Sequence, residues 1–144
     1  MGFQADVRAA CVEMLVAYGA DAGIKLQVYP ARPRSIAPPT AFVDLIRESI
    51  DYVGITLRQR RPIAEVIVIH GIFDSKEAAD QKDAFVDGFL DWVNVNYHQA
   101  GANTLVAVTN TDDVPDYVPN WLAPPAGTSV YYATRITVEG LALS

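Results

Sequence analysis

The chain has 144 residues, 51% of them hydrophobic and 19% charged, which predicts one folded domain over residues 1–144 and excludes a disordered chain. Eleven Lys and Arg against 17 Asp and Glu leave a formal charge of -6, which excludes gripping nucleic-acid phosphates by bulk charge. The single cysteine, Cys11, excludes an internal disulfide and a cysteine zinc cluster and predicts a reducing compartment. No apolar run approaches the roughly 18 residues of a membrane span, and the charged N-terminus does not read as a secretory signal.

A helix is predicted first. Val7, Cys11, Met14, Leu15 and Tyr18 recur at spacings of three and four, while Asp6, Arg8 and Glu13 fall on the other side. Gly19 and Gly23 are its stop signals. Residues 24–29 alternate, with Ile24, Leu26 and Val28 on one face, as in a half-buried strand. Four prolines between Pro30 and Pro39 remove backbone donors and predict a stiff loop inside the domain. Residues 41–47 and 50–58 read as two strands, although AFVDLIRESI also fits a helical turn.

Residues 63–70, IAEVIVIH, are β-branched and nearly continuous, which predicts a central strand covered on both faces. Asp74, with Glu77 three residues later, has capping-box spacing. Ala78, Phe85, Phe89, Trp92 and Val93 then mark the apolar face of a second helix ending near Tyr97. Residues 104–109 read as a strand, 110–116 as a polar turn and 117–125 as an irregular proline loop around Trp121. The closing segment, 129–143, alternates as a strand. Val130, Tyr132, Thr134, Ile136 and Val138 point one way, and Tyr131, Ala133, Arg135, Thr137 and Glu139 the other. This order predicts an α+β fold, a mainly antiparallel sheet with two helices packed on one face.

Chemistry is sparse. There is no glycine-rich phosphate loop, and His70 and His98 lack zinc spacing. His70 and Asp74 admit a catalytic pair or, preferred here because no nucleophile is marked, a strand-end histidine bonded to a helix cap. Cys11, on the helix stripe, reads as a buried inert thiol. Asp112, Asp113 and Asp116 admit Ca²⁺ or Mg²⁺ ligation but lack the spacing of a calcium loop, so a solvated turn is preferred. Arg58, Arg60 and Arg61 read either as a solvated hairpin tip or, slightly ahead, as a contact for an acidic protein neighbour, with DNA behind both. Tyr29, Tyr117, Trp121, Tyr131 and Tyr132 suit docking, although Trp121 is equally placed to fold back over its own core. No catalytic residue, cofactor or metal is expected.

The N-terminal helix, the phrase VYPARPRSIAPPTAFVD and the closing strand YYATRITVEGLAL resemble, as a pattern over nearly the whole chain, the tail terminator (minor tail) proteins of long-tailed bacteriophages of the lambda type. The resemblance implies a structural virion protein without catalysis. Six copies form a ring that caps the tail tube, ends its elongation and provides the surface for joining the head or neck. Its partners are then further copies, the tail tube protein and a head–tail connector or neck protein. DNA passes through the lumen without specific binding, and no membrane is involved. The location implied is the virion tail or neck, and the host cytoplasm during assembly. The alternatives are a head–tail joining or tail completion ring protein and, more distantly, a small enzyme using His70 and Asp74. Ring closure joins one patch to a different patch of the next copy. Arg32, Pro33, Arg34, Arg58, Arg60 and Arg61 are the expected contacts to acidic patches, with Asp112, Asp113 and Asp116 as complements and Trp121 as a further contact.

Overall fold

The computed structural model describes residues 3–52, 54, 58–72, 76–95, 99–100 and 104–143. In chain order these form α1 (Phe3–Ala22), β1 (Gln27–Tyr29), β2 (Thr40–Tyr52), β3 (Arg58–Ile72), α2 (Lys76–Val95), β4 (Gln99–Ala100), β5 (Thr104–Tyr117), a 3-10 turn at Ala126–Thr128 and β6 (Tyr131–Leu143). One sheet holds the strands in the order β1-β2-β3-β6-β5-β4. β1 runs parallel to β2, and the other neighbours pair antiparallel. The expected α+β architecture is therefore what the chain adopts.

The helices dock where their apolar stripes direct them. Val7, Ala10, Cys11, Met14, Leu15 and Tyr18 of α1 and Phe85 and Phe89 of α2 are buried in one core. Against them the sheet turns Ala41, Val43, Ala64, Val66, Val68, Ile136 and Val138. Each large side chain so buried contributes roughly 1.5–3 kcal/mol over leaving it exposed. Tyr18 ties the two helices together: its hydroxyl donates to the Phe85 carbonyl at 3.2 Å, and its ring stands edge-on to Phe85, Phe89 and Trp92. Gly23, with φ at +70°, ends α1 in the left-handed conformation that a side chain would strain, and Ile24 N–H returns to the Gly19 carbonyl at 2.9 Å.

β3 is covered on both faces, as its composition predicts. Ala64, Val66 and Val68 face the helices, whereas Ile67 and Ile69 belong to a second core on the opposite face with Phe42, Tyr131 and Ala133. Tyr29, Ile36, Val114, Tyr117 and Trp121 close over this second core. Ile36 and Trp121 come from loops, and Tyr29, Val114 and Tyr117 from β1 and β5.

Four expectations are corrected. The segments 41–47 and 50–58 are not two strands; one strand, β2, runs through Tyr52 with a bulge between Val43 and Leu45. The 24–29 strand pairs over three residues only, although Ile24, Leu26 and Val28 do turn toward the helices. Residues 110–116 form no turn, because β6 offers a continuous partner and β5 follows it through irregularities at Val108/Asn110 and Val114/Tyr117. Arg58, Arg60 and Arg61 are not at a hairpin tip; they lie in β3, facing Tyr52, Ile50 and Ser49 across the ladder. Asp74, Tyr97 and His98 lie outside the described residues.

The long strands have 13 to 15 residues, a length of roughly 43–50 Å. Each helix has 20 residues and spans roughly 30 Å. The sheet outreaches its helical layer.

Candidate contact surfaces

The proline loop between β1 and β2 and the loop between β5 and β6 meet on the face away from the helices. Trp121 lies edge-on to Phe42 with ring centroids 5.4 Å apart, and its indole N–H donates to the Pro33 carbonyl at 2.9 Å. Arg32 stacks over the same indole at 4.8 Å, while its Nε donates to Asp44 Oδ1 at 2.6 Å. Asp44 is the residue the β2 bulge leaves over, so the bulge re-aims its carboxylate at Arg32. Trp121 is thus a lid over its own core. Pro33 is buried beneath the lid and Arg34 is exposed. Burial also pushes the Tyr117 phenol above its ordinary range.

The same face, beyond the lid, is open and polar. Arg47 Nη2 bonds Glu65 Oε1 at 3.1 Å, and Arg61 Nε bonds Glu139 Oε1 at 3.1 Å. Such exposed pairs are worth about 0–1 kcal/mol each and mainly keep the surface charge-balanced. The side chains of Arg58 and Arg60 lie outside the described ones. Strand alternation separates the aspartates that the sequence groups together. Asp112 lies opposite Arg135 on the open face and accepts a hydrogen bond from the Asn110 amide at 2.9 Å. Asp113 turns toward the helices and accepts from Lys82 Nζ of α2 at 3.3 Å. Asp116 is exposed near the end of β5. Among the described residues no three His, Cys, Asp or Glu side chains come together to hold a metal ion.

At one end of the sheet the surface turns apolar. Ile72 lies opposite Tyr131, which also faces Tyr117, so Ile72, Val118 and Val130 share one rim. All three are exposed, Ile72 by 61%.

No protein-family model matches this chain, and no curated protein matches it.

His70 sits under α2. Its Nε2 is 2.9 Å from Thr134 Oγ1, and its ring stands edge-on to Phe85 at 5.4 Å. Two adjoining clefts, of about 460 and 380 Å³, share His70 and Gln81, one reaching Tyr18 and Ile24 and the other Ile72 and Tyr131. Burial, with a smaller push from the Lys82 charge and a small opposing pull from Asp113, lowers the imidazole pKa to about 4. At neutral pH it is uncharged and a weak proton acceptor, and it is tied to Thr134 of β6. Among the described residues, no helix is long and apolar enough to cross a membrane.

Cys11 is fully buried on the α1 stripe, and burial pushes its thiol up to about 12. Almost no thiolate exists at neutral pH. The folded protein is therefore expected to resist a thiol-specific reagent that labels it fully in guanidinium. Rapid labelling of the native chain would show that α1 lifts off the sheet.

The signal that sequence reading missed is the sheet itself. Alternation assigns faces to β6, but nothing in a single strand reports how far its neighbours extend beside it.

Proposed function

We propose that this chain is a tail terminator of a long-tailed bacteriophage, a structural subunit whose six-copy ring caps the tail tube, ends its elongation and offers a surface to the neck or head connector. The observation that carries this reading is the apolar rim of Ile72, Val118 and Val130, set where β3 and β5 finish and β6 begins. Exposed aliphatic side chains that share one rim support a surface that another protein covers. The adjoining loop carries Pro119, Pro124 and Pro125, whose rings fix the backbone. Loops already fixed lose little freedom on docking, which favours permanent contact. The net charge of -6 supports a lumen that lets DNA slide through, since like charges repel and no counterions are released by binding. The order of elements and the phrases that resemble those of terminator proteins support the same reading.

Sedimentation velocity tests the rim directly. Rings of the native chain are expected to associate face to face as concentration rises. The Ile72→Asp, Val130→Asp double variant is expected to keep the mass of a single ring and lose that association. Unchanged stacking of the variant rings would contradict the role given to the rim.

A further inference from the structure

Among the described residues, both margins of the sheet are left open along most of their length. β1 covers only Thr40–Phe42 of β2, and β4 covers only Thr104 and Leu105 of β5. Among the described residues, β2 from Val43 to Tyr52 and β5 from Val106 to Tyr117 have no strand on their outer sides. Open edges of this length are templates for another chain, and proteins ordinarily blunt them with prolines, bulges or charge. β5 has one irregularity at Val108/Asn110 and a second near its end, Val114/Tyr117, within which Pro115 falls. β2 has its single bulge at Val43/Leu45, and beyond it Leu45 and Ile50 are 43% and 45% exposed.

We propose that neighbouring copies join by strand addition, with the β2 edge of one copy pairing antiparallel with the β5 edge of the next. The proposal rests on the ring reading above and specifies how its subunits meet. Strand direction permits it. β2, β3, β6 and β5 alternate up and down, so rotation about an axis along the strands sets β5 of one copy antiparallel to β2 of another. Chemistry selects this pair of edges. β5 against β5 brings exposed aspartates together, and β2 against β2 brings Arg47 toward its own copy. β2 against β5 matches opposites on the open face. Setting Arg47 opposite Asp112 also sets Leu45 opposite Val114 and Ser49 opposite Asn110, a charge pair, an apolar pair and a polar pair in one register. Segment 45–49 follows the β2 bulge, segment 110–114 lies between the two β5 irregularities, and both are themselves regular. Arg47 gives one nitrogen to Glu65 and keeps other N–H donors for a second carboxylate. The junction then alternates in sign from Glu65 through Arg47 and Asp112 to Arg135. Cross-strand pairs of this kind stabilise a sheet, and like charges there oppose it.

Cysteine cross-linking decides the matter. Arg47→Cys and Asp112→Cys are introduced together into the full chain, where buried Cys11 stays reduced, and mild oxidation follows. Expected is a ladder of disulfide-linked species climbing to the size of the ring, with neither single variant producing it. Rings seen in images without a ladder would overturn the edge pairing and leave the ring reading standing. Dimers from Arg47→Cys alone would overturn it in favour of β2 against β2. Absence of any assembly would overturn both. As a second measurement, Arg47→Asp is expected to raise the concentration for half assembly roughly tenfold at low salt, and Asp112→Arg in the same chain to restore it. Failure of the second change to rescue the first would also overturn the pairing.

Discussion

Phe42→Ala is expected to lower the unfolding free energy by about 3–5 kcal/mol and to release the lid from the open face of the sheet. Phe42 is fully buried, holds Trp121 edge-on at 5.4 Å and lies 6.4 Å from Tyr117. Truncation leaves a cavity whose far wall is loop, and a loop held by one ring and a few hydrogen bonds collapses or swings away. A domain of this size holds only about 5–15 kcal/mol in total, so the loss is a large share. Urea unfolding measures the energy. Trp121 fluorescence in a Trp92→Phe background reports the lid, with emission shifting to the red as the indole meets water. A loss below 1 kcal/mol with unshifted emission would show that the lid is held elsewhere.

The second large effect is on acid stability. The His70 imidazole has a pKa of about 4 in the folded chain against an ordinary value of 6.5. Between these values the unfolded chain binds a proton that the native chain does not, so stability rises with pH across the window. The contribution is fully present above about pH 6.5 and is lost as pH falls toward 4, up to about 3 kcal/mol at 1.36 kcal/mol per unit. Lys82 and Asp113 are the charged groups whose fields reach the ring, and the lysine is anchored by Asp83 and Asp113. Carboxylates throughout the chain also titrate in acid, so the comparison is between the native chain and His70→Gln. The native chain is expected to lose stability more steeply from pH 6.5 to 4. Parallel curves for the two proteins would contradict the buried neutral histidine.

Helices and faces were legible where one partner dominates burial. The α1 stripe, the α2 face and the alternation of β6 each follow from a period that a single core imposes. The run at 63–70 announced a strand covered twice because it lacks a polar face. β2 was not legible as one strand. Its bulge at Val43/Leu45 shifts the phase of alternation halfway, so Phe42 and Leu45 fit no single period. Residues 110–116 carry Asn, Asp and Pro, which favour turns, yet a long partner in β6 carries them along a ladder. The arginine cluster looked like a tip for the same reason: β3 begins earlier than its apolar run. Trp121 had two equal readings, and the Phe42 ring beneath it, a contact made across 79 residues, decided for the lid. The open β2 margin is beyond reach of a sequence reading, since it depends on how short β1 is beside β2.

The ring proposed for this chain is open to direct imaging. Negative-stain electron microscopy of the purified protein, at low and high concentration and with and without Mg²⁺, tests it most directly. Closed six-fold rings with a central hole are expected, populated increasingly as concentration rises. Single 15.7 kDa particles under every condition would contradict it.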